Sequence, residues 1–318
     1  MLFSGCSTKE VFEPKKVEND WEKYDQLKES IVDTSLNIAK LQNNEVLTKN
    51  GVLDITLDED QRVLSLSDGW IISSSIDGYL ILTSKDDADI QKNFELKKTV
   101  ASASVQGDTL AVLFADNEMA LYSVVSKEIL FKEQGANALA LNAKIVPPYF
   151  MNGLVIFLTL DGKVVVVNEK KRKRLRTVIV SSEDKFNNVI YFNIVDNKIV
   201  AATSYKILTM SQKDVRAKYE IRTLVYDDKN IYVATKQGEI ISLNSNLQVN
   251  GEIKFPFAHF LGMISKEDKL YILEKEGYLI ILDKNMQDYT IYEVDFDDGF
   301  VFVGDDGFYV DDEKILIE

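Results

Sequence analysis

Short apolar runs, each about the length of a strand, alternate with polar turns along nearly the whole chain. Leu270 to Leu282, LYILEKEGYLIIL, shows the unit: two apolar runs on either side of Glu276-Gly277. A residue–Gly pair between apolar runs signals a β-hairpin, because glycine supplies the left-handed backbone of a tight turn. The unit recurs from Trp70 (WIISSSIDGYLIL), Val155 (VIFLTLDGKVVVV) and Asn230 (NIYVATKQGEIISL). Turns inside the hairpins centre on Asp77, Asp116, Asp161, Ser204, Gln237, Glu276 and Asp311. Turns just ahead of each hairpin centre on Asp68, Gly107, Asn152, Asp196, Asp228, Asp268 and Asp305. The two series lengthen and shorten together, at a mean spacing of about 40 residues with room for a strand between paired turns. Four short strands in such a unit mark a β-propeller. The prediction is an all-β propeller of seven blades over residues 43–318, each of about four antiparallel strands.

The last unit, FVFV, FYV and KILIE, stops one strand short at Glu318. The N-terminal strand at Glu45-Val46-Leu47 can fill that place, so the ring is expected to close there and lose its open sheet edges. Upstream, the polar stretch from Thr8 to Val17, with Pro14, reads as a tether. Asn19 or Asp20 can cap a helix whose one face carries Trp21, Tyr24, Leu27 and Ile31. A short helix is therefore expected within residues 7–42, packed on the ring or docking on a partner.

Composition narrows the function. The chain has 318 residues, a net charge of −14 and a pI near 4.7. Nucleic-acid binding draws on Lys and Arg that release counterions from phosphates, so no nucleic-acid partner is expected. One Cys (Cys6) excludes an internal disulfide and a thiolate metal cluster, and one His (His259) excludes a multi-histidine site. His259 sits in the apolar run FPFAHFLGM, where it is either a partly buried strand residue or the base of a triad. The acidic run from Asp295 to Gly307 suggests calcium by its carboxylates, but it lacks the spacing of a twelve-residue calcium loop, and turn chemistry accounts for its Asp-Gly pairs. No catalytic residue and no metal site is assigned.

The charge pattern has one exception. Lys170, Lys171, Arg172, Lys173, Arg174 and Arg176 crowd the turn and strand after VVVV. They form either a solvated turn or a contact with an acidic partner or anionic head groups, to which each cation adds about 1 kcal/mol.

Two resemblances add to this reading. The segments IDGYLILTSKDDADIQKNFEL, LDGKVVVVNEKKRKRLRTV, KQGEIISLNSNLQVNGEIKF and KEGYLIILDKNMQDYTIYEV resemble the PQQ-type propeller repeat. The enzymes of that class wrap their cofactor with Trp, and this chain has only Trp21 and Trp70, so neither enzyme activity nor a cofactor is expected. The opening Met1-Leu2-Phe3-Ser4-Gly5-Cys6-Ser7 resembles a bacterial lipobox, with residues 1–6 as the end of the signal and Cys6 as the acylated residue. The charged region and apolar core of such a signal would belong upstream of Met1. Ser7 after the Cys implies sorting to the outer membrane, facing the periplasm.

Together these features resemble the BamB-type lipoproteins. The resemblance implies a non-catalytic scaffold, lipid-anchored at the outer membrane. Its partners would be outer-membrane or periplasmic proteins, among them the machine that assembles outer-membrane β-barrels. A periplasmic propeller taking a sugar or peptide in its central funnel is the alternative.

Overall fold

The computed structural model describes residues 10–318, and Cys6 lies outside them. These residues form eight antiparallel four-stranded sheets, the blades of a propeller. In chain order the blades occupy residues 31–56, 62–95, 100–134, 149–179, 191–218, 221–254 and 260–293. The eighth joins three strands within 301–316 to Tyr24–Gln26 from the chain's start.

The count is therefore eight, not the seven expected from the turns. All seven indexed hairpins are present, as blades 2 to 8; the missed unit is blade 1. Its inner hairpin turns at Asn44, which takes the left-handed conformation (φ 66°) that glycine supplies elsewhere. Asn tolerates this region because its short side chain bonds locally. Blade 3 turns in the same way at Asn117 (φ 67°), so the missing signal lies in the strands: Ile31 matches a helical face and Glu45-Val46-Leu47 matches a closing strand.

The expected helix is also absent: no helix occurs among the described residues. Tyr24–Gln26 is a strand, and Ile31 begins the first strand of blade 1. The apolar spacing of Trp21, Tyr24, Leu27 and Ile31 matched a helical face over too short a run to exclude strands. Trp21 and Ile31 are buried but Tyr24 is exposed, so the four do not share a face.

Closure by an N-terminal strand holds, but with a different strand. Glu45–Thr48 is an interior strand of blade 1. Tyr24–Gln26 instead forms the outer edge of blade 8, in register Tyr24↔Ile315, Asp25↔Lys314 and Gln26↔Glu313. The Trp21 indole N–H donates to the Leu316 carbonyl at 2.9 Å, and its ring meets Tyr292 edge-on at 5.0 Å. Phe12, in the stretch read as a tether, is buried edge-on against Phe255 and Tyr278.

The core lies between blades rather than within any one. The two middle strands of most blades are buried almost throughout, because both faces meet a neighbouring sheet. Ile72, Leu80 and Leu82 of blade 2 pack with Leu110, Val112 and Phe114 of blade 3. Outer strands alternate or stand exposed, as half-solvated strands do.

Candidate functional site

The first strand of every blade faces a central channel, a cavity of about 1270 Å³. Each of these strands runs from an interblade connector to a tight turn, so one end of the channel is ringed by turns and the other by connectors. The turn end is rich in carboxylates: Asp68, Asp227, Asp228, Glu267 and Asp305 line it. Burial works against ionising Asp227, but the Tyr232 hydroxyl donates to it at 2.7 Å and Lys284 stands 3.3 Å away, and together they hold its pKa below the usual carboxylate value.

Two irregular connectors shape the other end. Residues 135–148 and 180–190 join blades 3 to 4 and 4 to 5, where other junctions need only 96–99 or 219–220. Pro147-Pro148 deprive the first connector of two N–H donors, and blade 4 starts its pairing late, at Tyr149. Fully buried Asn188 clamps one connector to the other. Its side-chain amide donates to the carbonyls of Asn142 (3.1 Å) and Lys144 (2.8 Å), and its oxygen accepts from the Asn142 N–H at 2.7 Å. The Phe186 N–H adds a bond to the Ala140 carbonyl at 2.8 Å.

This clamp holds Lys144 against the channel wall. Its ammonium lies 3.5 Å from the Arg222 carbonyl and 3.4 Å from the Thr223 hydroxyl, both long contacts. Burial, helped by the Arg222 cation, pushes the Lys144 pKa down to about 8. Burial also lowers the pKa of Arg222.

Arg222 owes its position to a β-bulge. The first strands of blades 1, 2, 3, 6 and 7 each skip one residue in register: Val32, Leu64, Ala101, Arg222 and Leu261. A bulge leaves its extra residue unpaired and re-aims the side chain. Four of these five residues are apolar. Tyr191 also lines the channel; its hydroxyl is buried without a partner, and burial beside Tyr226 pushes its pKa well above the ordinary tyrosine value.

Nothing in the spacing or composition marks Lys144, Asn188, Tyr191 and Arg222 as a group. Arg222 would stand out only once the bulges were aligned. Asn188 and Lys144 sit in connectors outside the repeat.

The residues singled out from the sequence lie elsewhere. Lys170, Lys171 and Arg172 form the exposed turn at the outer edge of blade 4, and Lys173, Arg174 and Arg176 continue on its outermost strand. Arg174 pairs with Glu133 of blade 3, and Arg176 with Asp214 of blade 5 at 2.9 Å, so two of the six cations tie neighbouring blades. His259 is half-buried in the connector between blades 6 and 7, not in a strand, and its backbone N–H donates to Glu274 at 2.8 Å. The acidic run divides between the connector to blade 8, a short strand and the following turn, where Asp306 pairs with Lys314 at 2.8 Å. Among the described residues, no three His, Cys, Asp or Glu side chains gather as metal ligands.

The connector end also carries exposed apolar tips. Leu139 is 79% and Phe257 57% exposed, and Ile76 and Phe186 are exposed beside their turns. Phe186 and Phe257 hold left-handed backbone (φ 52° and 66°), uncommon for bulky residues.

No family sequence profile matches the chain. Among characterised proteins it is similar to the plasminogen-binding protein PgbB of Helicobacter pylori (strain J99). The two are 29% identical over 369 aligned positions, covering all of this chain and 68% of PgbB. Among solved structures it is similar to BamB from Moraxella catarrhalis, with a TM-score of 0.70 and 12% identity over 91% of this chain and 96% of that one. It is similar also to the C-terminal WD40 domain of Sif2, with a TM-score of 0.68 and 12% identity over 96% and 100%. At such identities the structural likenesses establish a BamB-like propeller fold and nothing of function.

Proposed function

We propose that this chain is a non-catalytic, protein-binding propeller whose partner docks on the connector end of the ring. The observation that carries this reading is the alignment with PgbB along the whole chain, which weighs more than a shared fold. A protein of the plasminogen type is the first partner to test. The tips Ile76, Leu139, Phe186 and Phe257 are suited to the work, since apolar and aromatic side chains supply most of the energy at protein interfaces. Acylation of Cys6 would anchor the ring at the outer membrane, because several acyl chains together hold firmly where one is marginal.

The test is direct binding of plasminogen to the purified chain on a sensor surface, alongside a Leu139→Asp/Phe257→Asp variant. Saturable binding that the variant loses supports the reading. Absence of binding, or a variant that binds as well as the native chain, overturns it for this partner and face.

The fold likeness to BamB favours a second reading, a scaffold in outer-membrane β-barrel assembly. Crosslinking in intact outer membranes separates the two. Capture of the barrel-assembly subunits through the basic turn Lys170–Lys173 or the apolar tips would favour the scaffold, and their absence from the crosslinked products would remove it.

A further inference from the structure

We propose that the central channel binds a small oxyanion, a carboxylate or phosphate group, between Lys144 and Arg222. This site lies inside the ring and does not depend on the proposed protein partner.

Buried charges in proteins are paired or bonded to a ligand, because leaving water uncompensated is costly. Lys284, at the turn end of the channel, follows the rule and stands 3.3 Å from Asp227. Lys144 and the half-buried Arg222 do not follow it. Lys144 lies in the connector from blade 3 to blade 4 and Arg222 in the first strand of blade 6, yet they meet in one cavity, and neither forms an ion pair with a carboxylate among the described residues. The Arg222 Nε is buried without a partner, and so is the hydroxyl of Tyr191, a residue of the same channel wall. Two cations at one cavity, neither with a carboxylate partner, suit a multivalent acceptor. An oxyanion supplies one, with oxygens to match the planar guanidinium and the ammonium together.

Position argues further for a ligand. Four of the five bulges carry Val, Leu, Ala or Leu, so the backbone feature does not require an arginine. Asn188 uses its whole side-chain amide to fix the backbone at Lys144, making it a positioning residue for that cation. The carboxylates at the turn end of the channel repel anions, so entry is by the connector end, where Lys144 lies in a connector and Arg222 at the start of its strand. A cavity of about 1270 Å³ admits a metabolite-sized molecule.

Isothermal titration of the purified full chain with inorganic phosphate, and separately with citrate, tests this. The expected result is saturable one-to-one binding of at least one of them. Binding of phosphate alone assigns the site to phosphorylated ligands, and of citrate alone to carboxylates. Arg222→Leu and Lys144→Met should each weaken binding about tenfold or more, the loss expected for a charge-assisted hydrogen bond. Leu64 and Leu261 already occupy equivalent bulges, so Arg222→Leu suits the fold, and circular dichroism would check it. A variant with Lys170, Lys171, Arg172 and Lys173 all changed to Gln should bind as the native chain does. The proposal is overturned if neither anion binds saturably, if both channel variants retain native affinity, or if only the surface variant loses it.

Discussion

Replacing Lys144 with methionine should make the protein more stable at neutral pH. The two side chains are similar in length, and the change removes a charge whose hydrogen bonds, at 3.4 and 3.5 Å, are too long to contribute much. The folded chain holds this ammonium at a pKa of about 8, against an ordinary 10.5. At about 1.4 kcal/mol per unit, and allowing for channel water, keeping it charged costs the native fold about 2–3 kcal/mol. The folded pKa is the lower of the two, so this cost is full below pH 8, where both states are protonated. From pH 8 to 10.5 the unfolded chain binds a proton the folded chain lacks, and native stability rises relative to the variant. Above 10.5 the two should match. An unfolding entropy of about 2.1 cal/mol/K per residue, over 318 residues, turns the cost into a Tm gain of about 3–5 °C. Calorimetry of both proteins at pH 7 and near pH 11 is the assay. A variant less stable at pH 7, or a difference that does not change with pH, would refute the reasoning. A saturating anion at pH 7 should narrow the gap, since a ligand binds only the native channel.

Three further outcomes test the fold. Trp21→Ala should cost about 3 kcal/mol, at the low end for a buried tryptophan because its segment can relax, and urea unfolding would measure it; a change within error would deny Trp21 a part in closure. Deleting Lys314–Glu318 removes the strand that Tyr24–Gln26 pairs with, so the truncated ring should unfold at a much lower temperature and expose a sheet edge, detectable as dye binding or aggregation. Asn44→Gly should be neutral or slightly stabilising and Asn44→Val destabilising by about 1 kcal/mol or more, as thermal melts would show, because a β-branched side chain clashes in the left-handed turn.

Local structure was written in the order of residues. Seven hairpins were legible because Asp-Gly and similar pairs set turns through backbone conformation, and apolar runs on either side of a turn have few ways to pair other than with each other. The need for a closing strand was legible too, from a last unit one strand short. Blade 1 was not, since the residues that lead into it mimic a helical face over a short run and Glu45-Val46-Leu47 fits the place of a closing strand. The choice of Tyr24–Gln26 as the closing strand was made by packing, with Trp21 and Phe12 burying themselves against blades 6 to 8. The channel site belongs to tertiary structure entirely. Lys144 and Arg222 lie 78 positions apart and meet because the ring brings a connector and the start of an inner strand to one channel, with a bulge aiming Arg222 and Asn188 fixing Lys144. Pairing within a hairpin follows from neighbours in sequence, whereas the charge environment of the channel depends on which blades face one another across the axis, and that is settled only when the ring closes.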